Sequence, residues 1–279
     1  MSVIHEKLRK LEAKENPQGG GAWYSAPSHS PTIDFGLPEE IIKDFYDLKE
    51  YVRIANMRGQ MRLLSVVGSH DQEGSTTVVS YLAYLLAGGM LRKKQSTKKE
   101  TLDEKGDEKV FKKDFEKAVS DKSDKDSDSD KPSVDDILLV DCNMRNPGVH
   151  RYFGLTLEDG LADILEHKLD WHKVVKSVKN LNLKVISAGK SSENPVELMG
   201  SEEFNAMIRE WRKAYKYVLF DSAPVLTAPE ALSLGAMVDG VILVVRSGVT
   251  RWENAQAAKR KLISAHAKLL GVALNRAQS

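Results

Sequence analysis

Residues 65–83, SVVGSHDQEGSTTVVSYLA, decide the fold. They read as an apolar strand, a glycine-bearing loop and the start of a helix. A phosphate loop needs this context, because backbone N–H groups and a helix N-terminus must converge on phosphate oxygens. The pattern is a small residue, four spacers, then Gly-Lys-Ser/Thr. Ser69 takes the first place, Gly74 the glycine, and Thr76 the hydroxyl that binds magnesium, with Thr77 beside it. Ser75 stands where the lysine belongs. Taken alone, the stretch is equally a strand-to-helix turn with no ligand.

Working outward, strands are expected over 62–68, 137–141, 183–189, 217–221, 240–246 and 269–275. Helices are expected from near Pro38, and over 75–90, 147–153, 160–166, 201–215, 228–237 and 250–266. The strands are apolar throughout and alternate with helices. That pattern implies an α/β fold, a mostly parallel sheet with helices on both faces. Before it, residues 3–15 read as a short amphipathic helix with Val3, Ile4, Leu8 and Leu11 on one face, followed by a Gly/Pro/Ser-rich tether over 16–38. This divides the chain into an N-terminal segment, 1–37, and an α/β domain, 38–279. A Lys/Asp/Glu/Ser-rich insertion interrupts the domain over 92–136. Its composition buries too little apolar surface to offset its ordering entropy.

Of the 279 residues, 41% are hydrophobic, enough for one substantial core, and the net charge is only +1. A nucleic-acid partner is therefore not expected. The single cysteine, Cys142, lies in an apolar run and reads as a core residue of a protein in a reducing compartment. No run of about 18 apolar residues suggests a membrane span, and residues 1–15 lack a signal-type apolar core. A cytoplasmic location is expected, with the inner face of the membrane as the alternative if the 3–15 helix docks there.

Ligands of parallel sheets sit beyond the carboxyl ends of the strands. Two acids fall there: Asp141 in VDCNMRNPG and Asp221 in FDSAP. A carboxylate at a strand tip beside a phosphate loop is where magnesium is held, directly or through water. Either acid is also an ordinary helix-cap residue; together with the loop they favour a nucleotide site.

At this point the chain resembles the cytoplasmic kinase domain of bacterial tyrosine kinases (BY-kinases), the MinD-like P-loop family that accompanies polysaccharide co-polymerases. The resemblance runs over about residues 38–276 without the insertion. DCNMRNPGVHRYFGL, AGKSSENPVELM, YVLFDSAPVL, GVILVVRSGVTR and GVALNR match family motifs in family order. The resemblance implies ATP or ADP with Mg2+. Thr76 would coordinate the metal, Asp141 would lie near metal and attacking hydroxyl as the base, and Asp221 would hold metal through water. Asn275 and Arg276 would lie along the nucleotide base. It also implies a membrane polysaccharide co-polymerase or related export protein as partner, and a homo-oligomeric ring.

The sequence departs from that pattern in four places. A loop lysine about 4 Å from a phosphate charge is worth roughly 4 kcal/mol at an effective dielectric near 20, before desolvation. Losing it costs roughly three decades in rate or affinity if nothing compensates. His70 and Arg145 are the nearby cations. Gln72 replaces a loop glycine, and Asp71 adds negative charge. Asn143 replaces a second acid after Asp141. The family's C-terminal tyrosine cluster has no counterpart, since no tyrosine follows Tyr217. Of the family's Glu-x-x-Arg-x-x-Arg ring motif, Glu50 and Arg53 are present and Asn56 is not an arginine. These departures favour a catalytically impaired regulatory or assembly subunit of exopolysaccharide or capsule export. The alternatives are an active protein-tyrosine autokinase and a MinD-like membrane-positioning ATPase.

Overall fold

A computed structural model describes residues 32–34, 39–57, 61–92, 136–190 and 194–275. The expected 3–15 helix, nearly all of the 16–38 tether, Pro38, the 92–136 insertion apart from its two end residues, and Arg276 lie outside the described residues.

In chain order the elements are β1 (Thr32–Asp34), α1 (Glu39–Ala55), β2 (Leu63–Gly68), α2 (Ser75–Leu86), β3 (Met90–Arg92) and β4 (Ile137–Asp141). Next come α3 (Val149–Tyr152), α4 (Leu161–His167), α5 (Trp171–Val174), β5 (Lys176–Val178), β6 (Leu183–Ile186) and α6 (Pro195–Gly200). The chain continues through α7 (Glu202–Ala214), β7 (Tyr217–Ser222), α8 (Pro229–Met237), β8 (Gly240–Arg246), α9 (Trp252–Ser264) and β9 (Leu269–Asn275). Seven strands form one sheet in the order β5-β6-β4-β7-β2-β8-β9, and β1 pairs with β3 separately. Every pairing in the large sheet is parallel except that of β5 with β6.

The central strands are apolar all along because both faces are covered. Leu63 and Val67 of β2, Leu138 and Val140 of β4, and Val218 and Phe220 of β7 enter one core layer. Their neighbours Leu64, Val66, Leu139 and Leu219 enter the other, with α1 and α2. That alternation is the two-residue period of a strand. Phe45 of α1 stacks on Tyr81 of α2 at 4.8 Å between ring centroids.

Helix α7 shows how local sequence sets an element. Phe204, Met207, Ile208 and Trp211 recur at 3–4 residue spacing and are all buried. Ser201 accepts from the Phe204 N–H at 3.1 Å, closing the N-terminus. Glu202 and Glu203 sit in the first turn and Arg212 and Lys213 in the last, each matching the helix dipole. Arg212 then pairs with Asp239 at 2.7 Å, and Asp239 also accepts the N–H groups of Arg62 and Leu63, pinning the entry of β2.

Two boundaries differ from expectation by three residues or more. The helix expected to reach residue 90 ends at Leu86, because Gly88 takes a positive φ of 94° and Met90 joins β3. The strand expected over 183–189 ends at Ile186, and Gly189 turns with φ 83°. Strands β1, β3 and β5 and the short helices α5 and α6 were not expected, and β1 lies within the 16–38 stretch read as a tether, where pairing with β3 gives it strand structure.

Trp211 is fully buried among Trp171, Phe204 and Phe220. Trp211→Ala is expected to destabilise the fold by about 3–5 kcal/mol, read from the midpoint of urea unfolding. A loss under about 1 kcal/mol would mean this layer is not the core of the domain.

Candidate functional site

Strand β7 lies between β4 and β2, and its register brings the site together. Asp221 is opposite both Asp141 on one side and Val66 on the other. Neighbouring strands run about 4.8 Å apart, so the two carboxylates stand side by side at the sheet's carboxyl edge. They point to the face covered by α2, since Val66 belongs to that layer. The β2–α2 loop therefore arches over them.

Both acids are fully buried. Asp141 accepts three backbone N–H groups: Asn143 at 3.1 Å, Gly148 at 3.0 Å and Val149 at 3.1 Å. It organises the 142–149 loop in this way. Burial pushes its pKa up to about 6 against those hydrogen bonds. Asp221 accepts the Thr76 hydroxyl at 2.6 Å on Oδ2, while its buried Oδ1 has no hydrogen-bond partner. Burial and the neighbouring Asp141 raise its pKa well above the usual carboxylate range.

A buried, unpartnered carboxylate oxygen beside a hydroxyl and a second acid suits a hard cation with oxygen ligands. The residues present fit magnesium: Thr76 and Asp221 would hold it, with Asp141 adding negative charge behind them. No group of three or more His, Cys, Asp or Glu suited to a metal occurs among the described residues.

Gly74, with φ 90°, begins α2 and supplies no side-chain cap, so the first-turn N–H groups are left for a ligand. Gln72 also takes a positive φ, 63°, a conformation suited to the glycine it replaces. Thr77 hydrogen-bonds the Tyr152 hydroxyl at 2.6 Å. A Cβ on Gly148 would come within 2.9 Å of Thr76 Cγ2, so the 142–149 loop closes tightly on the Thr76 side chain.

Sequence reasoning missed Glu73. Its buried carboxylate accepts the Ser69 N–H at 2.5 Å, the Ser69 hydroxyl at 2.6 Å, the His70 N–H at 3.2 Å and the Thr250 hydroxyl at 2.6 Å. The Asn275 amide donates to the Glu73 carbonyl at 2.9 Å. Asn275 is thus placed against the loop backbone. The sequence signal was present: an acid inside a phosphate loop must be neutralised by donors that only the fold supplies. Arg145, one of the two candidate substitutes for the lysine, is bound by buried Glu230 at 2.6 Å. Asn143 accepts the Asn146 N–H at 3.2 Å and shapes the turn. Arg53 pairs with Glu50 on its own helix.

The acid pair sets a pH dependence. Both folded pKa values lie above the unfolded ones, so their stabilisation is full below about pH 4 and is lost as pH rises through about 6 and beyond. In metal-free protein at pH 8, Asp221→Asn should therefore raise stability. The gain should shrink towards pH 4. Urea unfolding in chelator at both pH values reads this, and equal stability of variant and wild type at pH 8 would refute it.

No protein-family model matches the chain. Residues of this chain align at 36% identity over 139 residues with the tyrosine-protein kinase YwqD of Bacillus subtilis, covering 50% of this chain and 59% of that one. The match thus spans about three-fifths of the relative's length. Among solved structures, the kinase domain of the Escherichia coli tyrosine kinase ETK superposes with a TM-score of 0.65 at 20% identity, covering 100% of this chain and 90% of the other. The septum site-determining protein MinD of Pyrococcus horikoshii, complexed with Mg-ADP, superposes with a TM-score of 0.51 at 16% identity, covering 77% and 70%. The chain is a homologue of bacterial tyrosine-protein kinases, built on the P-loop fold that their kinase domains share with MinD.

Proposed function

We propose that this protein binds a magnesium nucleotide weakly and serves exopolysaccharide or capsule export as a catalytically impaired regulatory or assembly subunit of the tyrosine-kinase type. One observation carries the reading: Thr76 and Asp221 are joined at 2.6 Å beside Asp141, while Ser75 fills the place of the cation that would face the phosphates. This supports a site that would hold the metal but would lack the cation that offsets phosphate charge. Arg145 does not make up the deficit, being held by Glu230. The MinD relative complexed with Mg-ADP supports ADP or ATP with Mg2+ as the ligand.

Held there by Thr76 and Asp221, magnesium would supply positive charge to offset that of the phosphates. The chain's own groups would bind and orient: the α2 N-terminus would meet phosphate, Thr76 and Asp221 would hold the metal, and Asp141 would fix the 142–149 loop. Asp141 accepts two N–H groups on Oδ2 and one on Oδ1, which leaves Oδ1 an acceptor site open. Asn275, and Arg276 beyond the described residues, would flank the base. A membrane export protein and a second copy of the chain are the proposed partners.

The second reading, an active tyrosine autokinase, is favoured by the preserved Thr76–Asp221 pair. Calorimetric titration of Mg·ADP and Mg·ATP into wild type and Ser75→Lys separates the two. We expect weak binding by wild type, tightened at least about tenfold by the restored lysine, and loss of binding in Asp221→Ala. Magnesium-dependent phosphate transfer to tyrosine by wild type would overturn the impaired reading. Absence of heat at millimolar nucleotide for both proteins would overturn nucleotide binding altogether.

A further inference from the structure

One side of the domain carries exposed apolar residues among cations that have no ion-pair partner among the described residues. Helix α9 buries Ala258 and Leu262. At about 100° per residue, Trp252, Lys259 and Ile263 fall on one flank, roughly a quarter turn from that buried pair, with Arg260 just outside them. Lys261 lies on the opposite flank and donates to the Leu226 carbonyl, in the loop leading into α8. The Trp252 flank therefore faces away from α8, towards the sheet edge formed by β9.

Strand β9 continues this surface. Val272 and Leu274 are in register with Leu243 and Val245 of β8, whose side chains lie in the core layer beneath α9. They point to the same side as α9, yet Leu274 is 58% exposed, as Ile263 is at 53% and Trp252 at 71%. The strand is the sheet edge and carries no charged residue, so it lacks one of the common means of blocking unwanted pairing.

Charge identifies what fits. Residues 246–268 hold six Lys or Arg against one acid, Glu253, in a chain whose net charge is +1. Lys259, Arg260 and Lys268 are exposed and have no ion-pair partner among the described residues. An indole and aliphatic side chains interleaved with cations match a lipid interface, where Trp sits at headgroup level and Lys and Arg meet anionic headgroups. Two copies meeting through this face about a twofold axis would set Lys259 and Arg260 against like charges. Nucleic acid would use the cations but not Leu274 and Ile263.

We propose that the α9–β9 face binds the surface of an anionic lipid bilayer, with Trp252, Ile263 and Leu274 entering the interface and Lys259 and Arg260 meeting the headgroups. Leu274 directly precedes Asn275, which is bonded to the phosphate loop, so the test is run without nucleotide. The test is flotation of the full chain, without nucleotide, on phosphatidylglycerol/phosphatidylcholine vesicles and on phosphatidylcholine alone. Wild type is expected to float with the anionic vesicles only, and less at high salt. Trp252→Ser with Leu274→Ser, and separately Lys259→Glu with Arg260→Glu, are expected to weaken binding at least about tenfold with unchanged melting temperature. No binding by wild type, or undiminished binding by either double variant, would overturn the proposal. So would binding to soluble polyglutamate or duplex DNA in place of vesicles.

Discussion

The site depends on two carboxylates placed next to each other in the interior. Parallel register between β4 and β7 sets Asp141 against Asp221, and α2 covers both. Burial and mutual repulsion resist ionisation of the pair. A core selected for stability alone would place apolar side chains here. Around Asp141 the backbone compensates with three N–H donors, and the 142–149 loop takes its shape from them. Asp221 keeps one oxygen without a partner, a cost of the kind that functional sites retain.

A second constraint holds the phosphate loop. Glu73 ties the loop's first residues to the turn after β8, and Asn275 ties the last strand to the loop's end. Tyr51 of α1 donates to the Leu270 carbonyl, linking the first helix to the same strand. The loop is thus braced from the β8–β9 side, and the acids approach it from the β4–β7 side. A carboxylate with four donors in a buried setting is satisfied without a cation, which is how an acidic loop keeps its conformation.

The departures from the kinase pattern now have separate physical meanings. Gln72 costs backbone strain but preserves the turn, because it adopts the positive φ of the glycine it replaces. Asn143 keeps hydrogen bonding and loses charge. Ser75 is different in kind, because it removes a long-range cation that no short polar group replaces. The ring-motif pair Glu50–Arg53 closes on itself along α1, an exposed contact worth little to stability.

The amino-acid sequence by itself determined the α/β class, most of the element positions, and the placement of Thr76, Asp141 and Asp221 at strand and helix ends. These follow from local periodicity and glycine punctuation, which need no knowledge of distant residues. It did not determine strand order, or the pairing that sets Asp141 beside Asp221, because register is a relation between segments some 80 residues apart. The roles of Glu73 and Glu230, and the open side of α9 and β9, were also decided only in three dimensions. A buried acid is defined by its donors and an exposed apolar side chain by the absence of a neighbour, and both are facts of packing rather than of the local chain.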